Sequence, residues 1–445
     1  MKTKNYIQPI VAAIIGLLLL MPAIIRDLKL EASYPSDLRN RQIGSRLIKD
    51  GRLPYFYHYN SNDSTRYLDI KNCNALSVSN ITATPYLHEL LLPICDLPFR
   101  KFSAVWLVIC YVLLGAMYLL MQSISPHIVA KIIVWVTAIA FPYTEAWKTH
   151  IYQGQYYLLI PFFLVLFYWA FVQKTKWFNL LLVGFACISV ILIRPTSILL
   201  LVPFIFLLKH YKQQVIAIAS FGIVALAFIV GNTFQKNLWN QYSKGIAEHV
   251  KVHQHLNPAM QANMPCPVVE DVEGFNLKVT GANNAPPIFS ECGNFHTVWK
   301  MVFKQQISLN LLYGIEAAII AISFLFYFLN HKKQKSFALL NACLLGFSFM
   351  MIADLFAPIN LGQYNTVQWL FALLLLSQIT FKKELRWYFI VIWLGFALNI
   401  LNLGFMKMEH TIGEYLMLIG CIFLSMKKLP QTFSFTASSA QTQRT

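Results

Sequence analysis

Charged side chains are scarce. Only 12% of the 445 residues are Asp, Glu, Lys or Arg, while 57% are hydrophobic. Soluble domains carry about 25% charged and about 45–50% apolar residues, so this balance excludes an ordinary soluble domain and marks a membrane protein. The eight cysteines include no CxxC pair, which removes the usual zinc and dithiol redox signatures. Neither a P-loop nor a GxGxxG occurs, so chemistry driven by a cytoplasmic nucleotide has no sequence support. With no soluble catalytic domain, any chemistry belongs to the loops and span ends at the membrane surface.

What is present is a series of apolar runs. A hydrocarbon core of about 30 Å needs about 20 residues of helix. Runs that meet or approach this length lie at 6–25, 102–122, 128–147, 156–172, 177–193 and, shorter, 196–208. Others lie at 215–232, 309–330, 337–356, 364–381, 387–403 and 412–426. The expected fold is an all-α polytopic membrane protein with about twelve transmembrane helices. It forms one integral domain over 1–430, with a Ser-, Thr- and Gln-rich disordered tail over 431–445.

The net charge of +17 is gathered in short clusters between these runs. Lys2 and Lys4, Lys174 and Lys176, Lys209 and Lys212, and Lys332 and Lys333 fall on one side of the alternating spans. So do Lys382 and Lys383, and Lys427 and Lys428. The positive-inside rule makes that side, with both termini, cytoplasmic. Such clusters describe topology and anionic-lipid contact, not a nucleic-acid partner. The first run exceeds the 7–15 residues, roughly, of a signal-peptide core, and no clear small-x-small site follows it.

Two long loops, 26–101 and 233–308, then face outward. The second, rich in proline, is expected to form a small cap of irregular structure and short helices. Cys73, Cys95, Cys266 and Cys292 lie on this oxidising side, where Cys266 and Cys292 are either bridged or free thiols. Cys110, Cys187, Cys343 and Cys421 lie within spans as packing residues.

The stretch from Tyr34 to Tyr55, YPSDLRNRQIGSRLIKDGRLPY, follows directly on the first apolar run. Asp37 here admits two readings. It can cap a helix whose apolar stripe, Ile43, Leu47 and Ile48, lies on the membrane interface, with Gly51 and Pro54 ending it. Alternatively it is a catalytic base at the level of lipid headgroups. That position suits glycosyl transfer from a lipid-phosphate sugar: the phosphate leaves readily, and the protein need only deprotonate an acceptor hydroxyl and stabilise the departing charge. Asp63, Asp69, Glu89 and Asp96 share the loop as weaker candidates.

Elsewhere, Arg194 occupies an outer turn almost devoid of other charge. Its guanidinium either snorkels to the interface or pairs with a phosphate. Gly154-Gln155 and nearby His150 either hydrogen-bond sugar hydroxyls or turn the chain into the next span. Glu270, Asp271 and Glu273 form either a solvated acidic turn or a divalent-cation site; no other cofactor is expected. His249, His253 and His255 read as exposed loop residues, with metal binding the lesser alternative, and Glu316 and Asp354 as residues lining a cleft.

Asp37-Leu38 followed by Gly51-Arg52-Leu53-Pro54-Tyr55 resembles the "DL…G..PY" opening of glycosyltransferase family 87. These are polyprenol-phosphate-sugar-dependent enzymes of the GT-C superfamily, mycobacterial lipid mannosyltransferases among them. Thr84-Pro85-Tyr86 leading to Leu92-Pro93 and Pro98 resembles the family's "YPP…P" segment. Gly154-Gln155 resembles "GQ.N", and Arg194-Pro195 resembles the "KP" turn. The matches keep family order over about the first half of the chain. Asn40 and Arg41 depart from an expected apolar residue and Tyr, Tyr157 replaces the Asn of "GQ.N", and Arg194 stands where Lys is common.

The resemblance implies a hexosyltransferase in the cytoplasmic membrane, with its active site on the periplasmic or extracellular side. Asp37 would be the general base of a single inverting displacement. The donor would be a polyprenyl-phosphate-linked mannose, other hexose or pentose, and the acceptor a lipid or glycan. Arg194 would hold the donor phosphate, and His150, Gly154, Gln155, Tyr55 and Pro85 would contact substrate. Two other readings compete. One is an O-antigen-type polymerase or ligase using Lys251, Lys278 and Lys300 on a diphosphate-linked glycan. The other is a lipid-linked glycan transporter or flippase, which calls for interrupted spans in corresponding positions of two halves; no such symmetry is visible.

Overall fold

The computed structural model describes residues 7–60, 62–70, 78–173, 176–208, 210–253, 271–276, 293–334, 338–359, 362–379, 382–400 and 409–429. The expected tail at 431–445, the Cys266 and Cys292 pair, and Cys73, His255 and Glu270 lie outside the described residues.

Helix dominates. The chain opens with α1 (Ile7–Glu31), α2 (Ser36–Lys49), α3 (Pro85–Leu90), α4 (Phe99–Ile124), α5 (Ile128–Ala140) and α6 (Glu145–Gln153). Next come α7 (Leu159–Val172), α8 (Trp177–Ile193), a 3-10 stretch over Pro195–Leu207, α9 (Lys212–Gly231) and α10 (Thr233–His253). A small antiparallel hairpin, β1 (Asp271–Val272) and β2 (Phe275–Asn276), precedes α11 (Phe295–Phe303). The chain continues through α12 (Leu309–Gln334), α13 (Leu339–Leu355), α14 (Leu370–Leu376), α15 (Arg386–Ile400) and α16 (Glu409–Ser425).

Among the described residues three helices, α4, α9 and α12, are long and apolar enough to cross a membrane. A bent pair, 128–143 with α6, makes a fourth if it is one span; its halves meet at 56°. The break has a local cause. Pro142 lacks an amide hydrogen and sits in a 3-10 turn over Phe141–Tyr143. Thr144 then starts α6 afresh, its Oγ1 accepting from the Trp147 amide at 3.1 Å. Helices α7, α8 and α13 are apolar but shorter.

Burial sorts these helices. All of α13, from Leu339 to Leu355, is buried, as is all of α14. A helix apolar on every face needs neighbours all round, and α13 packs against the 195–207 stretch, α16 and α12. In α4 the buried Trp106, Cys110, Leu114, Met117 and Met121 recur every three or four residues, giving one stripe. Cys110, Cys187, Cys343 and Cys421 are buried free thiols, and so is Cys95 between α3 and α4.

The outer layer differs from its sequence reading. The Ile43, Leu47 and Ile48 stripe of α2 does not lie on lipid: it packs with Tyr55, Tyr67, Ile81 and Leu238 of α10. The second loop, expected to hold irregular structure and short helices, begins with a long one, the 21 residues of α10, and this helix covers the stripe. On it His249 is buried, not exposed, and its Nε2–H donates to the Ser79 carbonyl at 2.9 Å. The β-hairpin packs Phe275 against both Tyr34 and Phe99, at ring separations of 5.4 Å and 5.0 Å, and those two rings meet each other at 5.1 Å.

Glu273, in the hairpin turn, accepts from Arg39 at 3.0 Å and from Arg46 at 2.6 Å. It is thus an internal ion-pair partner, and neither a solvated carboxylate nor a cation ligand. Burial works to raise its pKa, but the hydrogen bonds and charges of Arg46 and Arg39 outweigh that and hold it below the usual range. Gly51 ends α2 as expected. It takes φ +71° while its amide and that of Arg52 bond the carbonyls of Ile48 and Leu47, which satisfies two otherwise orphaned acceptors.

Candidate active site

Two segments 118 residues apart meet at the start of α2. Pro35 occupies the N-cap position and makes no side-chain cap bond. Asp37 lies in the first turn, where the helix dipole favours a carboxylate. Its side chain does not cap the helix. Instead Oδ2 accepts a hydrogen bond from Gln155 Nε2. Gln155 Oε1 in turn accepts from Arg41 Nη2 at 2.7 Å, and Arg41 Nη1 donates back to the Asp37 carbonyl. One turn of α2 therefore carries both the carboxylate and the cation that orients its amide partner.

Gly154 makes this meeting possible. It closes α6 in the left-handed region, φ 67° and ψ 48°, where glycine carries no Cβ penalty. A Cβ at 154 would lie 2.3 Å from Leu38 Cβ and 2.9 Å from Pro35 Cβ. The bare backbone lets the end of α6 press on the start of α2, and the next side chain reaches Asp37.

The Asp37 carboxyl is only part-buried by exposure, yet the protein packed around it raises its pKa by desolvation. The Arg41 charge and the Gln155 hydrogen bond oppose that rise without cancelling it. Among the described residues, the second oxygen, Oδ1, has no hydrogen-bond donor. A carboxylate with one oxygen fixed and the other open is arranged to accept a proton.

A run of contacts leads inward from this pair. The Arg41 guanidinium lies 5.1 Å over the Tyr156 ring, and Tyr156 stacks on Tyr157 at 4.7 Å. Tyr157 stacks on Tyr364 at 5.5 Å, and its hydroxyl accepts from Arg194 Nη1 at 3.2 Å. Arg194 closes the run in an ion pair with Asp354 of α13. Asp354 is fully buried and also accepts from Gln368 at 2.8 Å. The costly guanidinium thus has a protein counter-ion, the partner that the sequence reading assigned to a phosphate.

The other expected substrate contacts sit behind the surface. His150 is completely buried, stacks on Trp147, and its Nε2 accepts from the Leu158 amide at 3.3 Å. It holds the turn into α7. Tyr55 is buried; its hydroxyl donates to the Ala83 carbonyl at 2.9 Å and its ring meets Tyr242 at 5.5 Å. Pro85 occupies the first turn of α3, where a missing amide hydrogen costs nothing. Gln155 itself is buried and spends its amide on Asp37 and Arg41.

Of the weaker acids, Asp96 pairs with Lys49 and Arg66 at the surface, and Asp63 with Arg52. Glu89 accepts from Gln235 of α10. The residues missed in sequence are Arg41, Tyr156 and Tyr157. A signal existed for two of them: Arg41 lies four residues after Asp37, one helical turn, and both Arg41 and Tyr157 are departures from the family pattern. No protein-family model, curated protein or solved structure matches the chain.

Proposed function

We propose that this chain is a membrane glycosyltransferase of GT-C type, with about twelve spans, both termini cytoplasmic and its site on the outer face. It moves mannose or another hexose or pentose from a polyprenyl-phosphate donor to a lipid or glycan acceptor. One observation carries the reading: Asp37, beside the first span, is held by Gln155 through one oxygen and leaves the other open. The acceptor hydroxyl oxygen attacks the anomeric carbon while its proton passes to Asp37 Oδ1. The bond from that carbon to the phosphate oxygen breaks, and the electron pair leaves on the phosphate, giving inversion. Arg41 and Arg194 supply positive field for the departing charge. Arg194 keeps part of its surface exposed beside Tyr157, which leaves it an edge for a phosphate oxygen.

The test is transfer of radiolabelled sugar from a polyprenyl-phosphate donor into membrane lipid or glycan, with protein abundance matched. Asp37→Asn keeps the size and the Gln155 contact but is not a base. Activity should fall by at least about 100-fold, the lower range for general-base loss. Undiminished transfer by Asp37→Asn would remove Asp37 as base. Transport of a lipid-linked glycan without any transfer would remove the enzyme.

A further inference from the structure

A second concavity of about 320 Å3 opens between α3, α8, α9 and α10. Phe185 and Ile188 of α8 and Phe221, Ala225 and Phe228 of α9 form its walls. Val224, which also lines the groove, is 67% exposed, and its neighbours Ile223 and Leu226 on α9 are 68% and 62% exposed. This helix is long and apolar enough to cross a membrane, so the medium at that wall is lipid hydrocarbon.

One end of the groove is polar. Tyr86 and Ser189 join hydroxyls at 2.8 Å, and Gln235 donates to the Glu89 carboxyl. Among the described residues, none lining the groove carries a positive charge. Burial raises the Glu89 pKa and only the Gln235 bond opposes it. An ionised Glu89 carboxylate with no cation beside it disfavours a phosphate and accepts hydrogen bonds from uncharged hydroxyls, while the amide and hydroxyl groups add neutral hydrogen-bonding partners. The cations lie on the other side, with Arg41 and Arg194. Helix α10 joins the two regions: Trp239 lines the groove, its ring meets Tyr242 at 5.7 Å, and Tyr242 lies within the electrostatic reach of Arg194.

We infer that this groove binds one hydrocarbon chain of the sugar acceptor, an uncharged lipid with a hydroxyl-rich headgroup, and that Glu89 accepts a hydrogen bond from that headgroup. Calling the lipid an acceptor rests on the glycosyl-transfer reading; its binding does not.

The experiment uses the full chain in phosphatidylcholine nanodiscs and follows quenching of Trp239 fluorescence, isolated by subtracting the signal of Trp239→Phe. The probes are monoglucosyl diacylglycerol and phosphatidylglycerol, each with the same brominated chains. The expected result is saturable quenching by the glycolipid, with at least about tenfold higher apparent affinity than the anionic lipid, or about 1.4 kcal/mol. Ala225→Phe, which fills the groove, should abolish the saturable part. Glu89→Gln, nearly isosteric and so safe for the fold, should narrow the preference below threefold or so. Equal or stronger quenching by phosphatidylglycerol, or quenching that rises only linearly with either lipid, overturns the inference. Saturable glycolipid binding in a protein that transfers no sugar would instead retain the groove and remove the transferase.

Discussion

Replacing Gly154 by alanine puts the geometry of the site to a direct test. The added methyl would stand 2.3 Å from Leu38 Cβ, where ordinary contact begins at 3.4 Å. Leu38 Cβ is fixed to the backbone, so no rotamer relieves the clash and α6 must part from α2 by about 1 Å. The left-handed backbone adds about 1–2 kcal/mol for a residue with a Cβ, and overpacking about 1–3 kcal/mol more. A displacement of about 1 Å at the Gln155–Asp37 contact is enough to lower a reaction rate by about 100-fold. The assay is sugar transfer per mole of folded protein, with the folded fraction taken from a thermal melt. Gly51→Ala provides the control. It shares the positive φ, +71°, but its Cβ would meet nothing within 4 Å. Gly51→Ala should therefore lose about 1–2 kcal/mol of stability and almost no specific activity. If Gly154→Ala retains specific activity within threefold or so of wild type, or Gly51→Ala is equally inactive, the close approach of α6 to α2 does not control the site.

Three further outcomes follow from single contacts. Gln155→Leu removes the hydrogen bond that opposes the desolvation of Asp37, so the Asp37 pKa rises further; a base works above its pKa, and the acid limb of kcat/KM should move to higher pH. A limb that stays in place or moves down argues against Asp37 as the titrating group. Arg194→Met strands the buried Asp354 and should cost about 3–5 kcal/mol, which Arg194→Met with Asp354→Leu should largely restore. If Arg194 also meets the donor phosphate, the restored double variant shows a donor KM raised at least about tenfold, or about 1.4 kcal/mol; an unchanged KM confines Arg194 to structure. Glu273→Gln should destabilise by about 3 kcal/mol through the two arginines it leaves unpaired. Because the folded pKa of Glu273 is depressed, its contribution is present above the ordinary glutamate pKa and lost as pH falls through the folded value. Wild type should therefore lose more Tm in acid than Glu273→Gln; parallel curves would refute the clamp.

The sequence made some of this legible and hid the rest for a physical reason. Apolar run lengths placed helix almost throughout, and Gly51 marked the end of α2, because both are local properties of the chain. Short motifs singled out Asp37 and Gly154-Gln155 separately. Their pairing was not legible, since contact between residues 118 apart depends on how α6 packs on α2, and periodicity carries no such information. The same limit explains Arg194: its depth called for an anion, but only the packing of α13 shows that Asp354 supplies one. It also explains Ile43, Leu47 and Ile48, an apolar stripe that fits a lipid surface or α10 equally well until α10 is seen lying over it.

Two positions where the sequence resemblance fails are placed together by the structure. Arg41 stands where a tyrosine was expected and Tyr157 where an asparagine was expected. Taken singly, each weakens the resemblance. In the structure Arg41 bonds Gln155, the residue that fixes Asp37, and Tyr157 bonds Arg194. Tyr156 lies between them, under one guanidinium and stacked on the ring that serves the other. The two substitutions thus meet at opposite ends of one stacked pair. If they act together, Arg41→Tyr or Tyr157→Asn alone should harm transfer more than the two combined. A double-mutant cycle on Arg41→Tyr and Tyr157→Asn should show a coupling energy of at least about 0.5 kcal/mol. Strict additivity would mean that the two ends of the run work independently, and that the tyrosines between them only fill space.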